Sequence, residues 1–222
     1  MPEKRNIKAV VLDMDGTMFN SEQIYNAVGD SVLEKRGHSF TNDLKMKMMG
    51  LATPVALQVM IDHCDLTDSI ATLTDECHEV FLDLMPSQMK KMPGLDTLLD
   101  QIESVGLPKA VATSSTRKLA QAALRMFDLE KRFEFILTGD DVTNGKPHPE
   151  VYASAAEKLK IVPGQMLAIE DSVVGSKAAA ASGAYTIAIP EQHSEGGDFS
   201  HVHHILDRLD NPIILQLVSG RI

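Results

Sequence analysis

Two hydrophobic periods divide the chain. The stretch from Ile7 to Leu12 ends in a continuous apolar run, Ala9-Val10-Val11-Leu12, rich in β-branched side chains. A run of that kind suits a strand covered on both faces, as in a parallel sheet. From about residue 20 to residue 90 the apolar positions recur at helical spacing, with no convincing strand. Ser21 reads as the cap of a first helix carrying Ile24, Ala27, Val28, Val32 and Leu33, which Gly37 ends. A short helix is predicted over 42–49, Gly50 breaks the chain, and Thr53-Pro54 opens a third helix through Ile61. A fourth runs from Thr67 or Asp68 to near Leu84, with Pro86 beyond it.

From Pro93 the pattern changes to alternating helix and strand. Helices are predicted over 94–104, through Leu119, Ala122, Ala123 and Met126, from Pro149 to about Leu159, and over 173–182 between Ser172 and Gly183. Strands are predicted over 109–113, 133–138, 165–169 and 184–189, with a short sixth over 202–206. The expected fold is an α/β, Rossmann-like, doubly wound parallel sheet. Residues 1–18 and 90–222 form its core, and an inserted α-helical cap spans 19–89. The hinges fall near 19–21 and 86–93, where the helical pattern meets Pro and Gly. An insertion leaving the carboxyl end of the first strand overhangs the face where such sheets bind ligands.

Composition narrows the class. The 222 residues are 44% hydrophobic and 23% charged, enough for one sizeable core. The net charge of −10 argues against binding a phosphate backbone, so no nucleic-acid partner is expected. No apolar run reaches the length of a membrane span, and no apolar signal region precedes the first strand. Cys64 and Cys77 lack a metal-binding spacing and read as reduced fillers. The expectation is a cytoplasmic, monomeric protein. The Met46, Met48 and Met49 cluster reads as flexible core filling.

The candidate chemistry begins where the first strand stops, at Asp13-Met14-Asp15-Gly16-Thr17. Alternation along an extended backbone would put Asp13 and Asp15 on one face. Two carboxylates that close resist joint ionisation unless something positive lies between them. A hard divalent cation such as Mg2+ suits oxygen ligands of this kind. A calcium loop also begins Asp-x-Asp, but Met18 stands at its glycine position and Ile24 at its closing glutamate. The bland alternative is a solvated Asp-Gly turn. Against it stand three more polar clusters that follow apolar runs: Thr113/Ser114, Lys146 and Glu170/Asp171. In a parallel sheet those strand ends point the same way, so the clusters meet. Carboxylates from two strands can hold Mg2+, while a hydroxyl, backbone N–H groups at a helix start and an ammonium can hold a phosphoryl group.

This series resembles the haloacid dehalogenase superfamily and, within it, the β-phosphoglucomutase-like group with an α-helical cap. Asp13-Met14-Asp15-Gly16-Thr17 is similar to its first motif, Thr113 to its second, Lys146-Pro147 to its third, and Glu170-Asp171 with Ser172 and Gly175 to its fourth. The resemblance implies Asp13 as nucleophile, forming an aspartyl-phosphate. It implies Asp15 as the acid that protonates the leaving alkoxide and then the base that activates water. Mg2+ would be held by Asp13, the Asp15 main-chain carbonyl and Asp171, with Glu170 direct or through water. Thr113, Lys146 and the amides of Met14, Asp15 and Ser114 would bind the phosphoryl group.

Asp15 also points to phosphate esters, because dehalogenase relatives do not use an acid/base Asp there and phosphonate-cleaving relatives have a small residue. Mutases of the group hold a second phosphate with a cap Arg after the mid-cap Gly and a Ser-Lys pair after the second motif. Here Gly50-Leu51-Ala52-Thr53-Pro54-Val55 has no Arg, and Thr113 is followed by Ser114-Ser115-Thr116-Arg117 without the Lys. Losing such a charged partner costs roughly 2–5 kcal/mol in a closed site. Arg117 and Lys47 are the candidates to compensate. The reading is therefore a Mg2+-dependent phosphatase of a small phosphorylated metabolite, a sugar phosphate or nucleotide-like monophosphate. A β-phosphoglucomutase-type phosphotransferase is the alternative, and a non-catalytic phosphate-binding protein ranks third. His201-Val202-His203-His204 has no third ligand at metal spacing and is set aside. The 191–199 stretch reads as a polar, Gly-rich loop.

Overall fold

The computed structural model describes residues 6–49, 51–191, 194 and 196–221. Among these residues six strands form one parallel sheet: β1 (Ala9–Leu12), β2 (Lys109–Ala112), β3 (Ile136–Leu137), β4 (Met166–Glu170), β5 (Tyr185–Ala188) and β6 (His204–Ile205). Their order across the sheet is β3-β2-β1-β4-β5-β6, so β1 is central and the order reverses beside it. The ends of β1, β2 and β4 therefore open onto a switch point, where α/β sheets bind ligands.

The apolar run of β1 has its reason in the packing. Val10 and Leu12 join the larger core on one face, and Val11 joins a second core on the other. The second core is built with α7 (Glu150–Lys158) and α8 (Val173–Ala181), whose alanines allow close approach to the sheet. On the first face lie α5 (Leu95–Ser104), α6 (Arg117–Met126) and a C-terminal α9 (Pro212–Val218). Four helices fall between β1 and α5: α1 (Glu22–Glu34), α2 (Asn42–Met48), α3 (Thr53–Cys64) and α4 (Ile70–Gln88). Their apolar faces, among them Ile24, Val28, Leu73 and Phe81, are continuous with the first core.

The two chain crossings between this insert and the sheet are paired to each other. Phe19 bridges Lys91, the Met92 N–H donates to the Met18 carbonyl at 2.8 Å, and the Asn20 N–H donates to that of Lys90 at 3.1 Å. The Asn20 side chain receives the Lys90 N–H at 2.6 Å and donates to the Gln88 carbonyl at 3.3 Å.

Some local expectations need correction. Pro86 lies inside α4, which continues to Gln88 and closes with the Met89 N–H on the Met85 carbonyl. The proline sits in the last turn, so it forfeits one ladder bond without stopping a helix of 19 residues. Ser21 precedes α1 in helical backbone geometry, and its hydroxyl makes no cap bond. β3 is two residues long where 133–138 was expected, although the Glu134 N–H and the Phe135 carbonyl still bond to Lys109 and Val111 of β2. α9 is an element the periodicity did not reveal. The predicted break at Gly50 lies outside the described residues. Among those residues no helix is long and apolar enough to cross a membrane.

Candidate active site

Four segments converge at the carboxyl end of the sheet. Ligand oxygens of Asp13, Glu170 and Asp171 all lie within 4.8 Å of one another, and all three residues are buried. Asp13 follows β1, Glu170 ends β4 and Asp171 follows it. Adjacent strands in register bring them together, with Leu12 paired to Ile169. Lys146 reaches in from the loop before α7 and is only 6% exposed. Its Nζ donates to Asp13 Oδ1 at 2.5 Å, Glu170 Oε1 at 2.6 Å and the Ala112 carbonyl at 3.1 Å.

The electrostatics follow from this packing. Burial raises the Asp13 pKa well above the usual carboxylate range, and the Glu170 charge adds to the effect while Lys146 opposes it. Burial alone would lower the Lys146 pKa. The charges of Asp13 and Glu170 outweigh it and hold the ammonium above its ordinary value. Three carboxylates gathered around one ammonium form a hard, oxygen-rich, anionic site, a donor set that fits a divalent cation such as Mg2+.

Two glycines make room for the cluster. A Cβ on Gly16, at φ +79°, would stand 2.2 Å from Asp171 Oδ2, and one on Gly175 would stand 2.0 Å from Glu170 Oε1. Hydroxyl groups complete the cluster, with contacts only the structure shows. Thr17 Oγ1 donates to Asp171 Oδ1 at 3.1 Å. The Tyr152 hydroxyl donates to Glu170 Oε1 at 2.7 Å, and Ser172 Oγ donates to Glu170 Oε2 at 3.2 Å. Ser194 Oγ donates to the Asp171 carbonyl at 2.7 Å, so the 191–199 loop edges the site; Gln192, His193 and Glu195 lie outside the described residues. The signals for the roles of Thr17 and Tyr152 were faint: a hydroxyl that closes the first motif, and one aromatic in a helix otherwise rich in alanine.

The Asp15 side chain turns to a separate set of partners. Its Oδ2 accepts from Thr113 Oγ1 at 3.0 Å and from Ser115 Oγ at 2.7 Å. Its Oδ1 is buried with no partner. The Met14 side chain is buried in the core, which leaves its backbone as the part able to serve the site. Ser114, Thr113, Lys146, Asp13 and Asp15 all border one cavity of about 200 Å3. The insert supplies its opposite wall, mostly apolar, with Phe40, Met48, Met49 and Met60 among the lining. Met48 and Met49 thus face the cavity, whereas Met46 is exposed.

The cation that the insert does bring to the cavity is Lys45, whose Nζ lies 3.6 Å from Glu22 Oε2. Neither cation suggested by the sequence lines it. Arg117 is engaged by Asp141, and Lys47 pairs with Asp43 at 2.7 Å on the surface. The histidines near 201–204 are engaged locally, His201 with Ser176 at 2.9 Å and His204 with Tyr185 at 3.0 Å. Among the described residues, Asp13, Glu170 and Asp171 form the one carboxylate, histidine or cysteine group close enough to hold a metal.

A buried acidic cluster and an ammonium meet at the switch point of a parallel sheet, roofed by a helical insert, an arrangement suited to a divalent cation and an anionic ligand. Residues 10–189 match the model of the haloacid dehalogenase-like hydrolases, and the chain belongs to that family. It is 33% identical over 177 residues to the phosphorylated carbohydrates phosphatase of Thermotoga maritima, covering 80% of this chain and 82% of that one. Relatives of this kind assign it to the family's phosphatases. CbbY from Rhodobacter sphaeroides, solved with phosphate, shares the fold at a TM-score of 0.85 and 24% identity, over 91% of this chain and 95% of that one. β-Phosphoglucomutase from Clostridium difficile shares it at a TM-score of 0.82 and 16% identity, over 97% and 98%.

Proposed function

We propose that the protein is a Mg2+-dependent phosphatase of a small phosphorylated metabolite, working through an aspartyl-phosphate on Asp13. The observation that carries this reading is the convergence of Glu170, Asp171 and Lys146 on Asp13, which lies more than a hundred residues before them in the chain. Asp13, Glu170, Asp171 and the Asp15 carbonyl would hold the ion, which when bound screens the anionic ester from the anionic nucleophile. The Asp13 carboxylate attacks phosphorus, an O–P bond forms, and the bond to the leaving alcohol breaks. Asp15 gives its proton to the departing alkoxide, then takes one from water as water displaces phosphate from Asp13. Lys146 and the amides of Met14, Asp15 and Ser114 hold the phosphoryl oxygens, while Thr113, which the resemblance places in the same group, gives its one hydroxyl proton to Asp15. Residues 19–89 act as a cap that closes the cavity against water, over a core of 1–18 and 90–222.

The name of the Thermotoga relative supports a sugar phosphate as the first substrate class to try. The cavity's cap wall, with Lys45 held by Glu22, disfavours a bisphosphate and so the phosphotransferase alternative. The test is phosphate release from a panel of metabolite monophosphates, with and without Mg2+. The wild type should release phosphate only with the ion, and Asp13→Asn should release none while melting at a similar temperature. Release by Asp13→Asn, or an isomerised ester in place of free phosphate, overturns the reading.

A further inference from the structure

Asp15 carries the proton in the proposed reaction, and a hydrogen-bond chain that begins in the helical insert decides which of its oxygens does so. Oδ2 accepts from both Thr113 Oγ1, at 3.0 Å, and Ser115 Oγ, at 2.7 Å. With Oδ2 held by two donors, Oδ1, which is buried and unpartnered, is the carboxylate oxygen left for the reaction. Ser115 has one hydroxyl proton, and Asp15 takes it. The contact of 2.7 Å between Ser115 Oγ and the Tyr25 hydroxyl therefore runs from Tyr25 to Ser115. The Ser115 N–H donates to Thr113 Oγ1 at 3.0 Å, which turns the Thr113 proton toward Asp15 as well.

Tyr25 belongs to α1, whereas Ser115 and Asp15 belong to the sheet's own loops. The Tyr25 ring packs against Phe81 of α4 with centroids 4.9 Å apart, so the insert fixes where the hydroxyl arrives. A second contact, His78 Nε2 with Thr116 Oγ1 at 2.9 Å, ties α4 to the same loop independently of Tyr25. Loss of the Tyr25 hydroxyl should thus leave the insert seated. We propose that Tyr25 is a positioning residue which, through Ser115, orients the Asp15 carboxylate so that Oδ1 is the oxygen that delivers the proton to the leaving group. This rests on the phosphatase reading above.

The test uses two esters of similar size, benzyl phosphate, which leaves as a poorly stabilised alkoxide, and p-nitrophenyl phosphate, which leaves as a stabilised phenoxide. kcat/KM reports events up to departure of the alcohol, so it isolates the step in which the proton is needed. Tyr25→Phe should lower kcat/KM for benzyl phosphate about tenfold, the scale of one hydrogen bond in a chain ending on a charged group. It should change that for p-nitrophenyl phosphate less than about twofold, since a good leaving group gains little from general acid catalysis. Ser115→Ala should give the same split, and the double variant should add little to either, because both act in one chain. Equal losses on both esters would mean that Tyr25 merely packs, and unchanged kinetics would mean that the chain does not matter; either overturns the proposal. A wild type inert on both esters with Mg2+ present would instead refute the phosphatase reading, and this inference with it.

Discussion

Lys146→Met is the substitution whose outcome the buried cluster constrains most. It keeps an unbranched side chain of similar length and removes only the charge and its hydrogen bonds. In the wild type the ammonium serves Asp13, Glu170 and the Ala112 carbonyl, at 2.5, 2.6 and 3.1 Å. Removing one partner of a buried ion pair costs about 3–5 kcal/mol, because the other charge stays buried and unmatched. Here two carboxylates are left at once. Protonation of Asp13, already favoured by burial, limits the loss and holds it near that range. With a urea slope of about 3 kcal/mol/M, the unfolding midpoint should fall by more than ~1 M at neutral pH.

Two further readouts separate this account from a simple packing defect. Mg2+ should raise the midpoint of Lys146→Met more than that of the wild type, because a divalent cation then supplies the charge the ammonium no longer provides. The gap between variant and wild type should also narrow on acidification, as the cluster's carboxylates take up protons. A variant with the wild-type midpoint and no extra response to Mg2+ would refute the claim that the ammonium balances this cluster.

Gly16→Ala combines a positive φ with a Cβ that would stand 2.2 Å from Asp171 Oδ2. It should cost about 1–2 kcal/mol from the backbone alone and weaken Mg2+ binding as Asp171 is pushed aside, which calorimetric titration would detect. Lys45→Met should raise KM about tenfold for esters whose alcohol carries further hydroxyl groups, and leave p-nitrophenyl phosphate nearly unchanged, as steady-state kinetics would report. Hydrogen bonds from Arg132, then Lys109, hold the Glu103 pKa down to about 2. A carboxylate whose folded pKa is depressed stabilises the protein above its unfolded pKa, and that contribution fades as pH falls toward 2. Glu103 is 43% exposed, so solvent screening reduces the expected loss in Glu103→Gln to about 1 kcal/mol at pH 7, shrinking toward acid in melts across pH.

The alternation of period along the chain was enough to specify a parallel sheet with a helical insert after its first strand, since that information is local. A continuous apolar run needs two covered faces, and β1 has them. The four polar clusters were legible for the same reason: each stands at a strand end or in the loop that follows it, and parallel strands deliver their ends to one place. Pro86 within α4 was misread because a proline in the last turn forfeits only one ladder bond, which the rest of the helix outweighs.

Tertiary structure alone decided the partners. That Thr17 and Tyr152 steady the acidic pair, that Ser115 holds Asp15, and that Lys45 rather than Arg117 or Lys47 lines the cavity all depend on contacts across 18 to 154 residues of chain or on the direction of one side chain. A strand pattern fixes which face a residue occupies. It carries no information on which hydroxyl from another element will stand within 3 Å, because that distance is set by how the helices seat on the sheet.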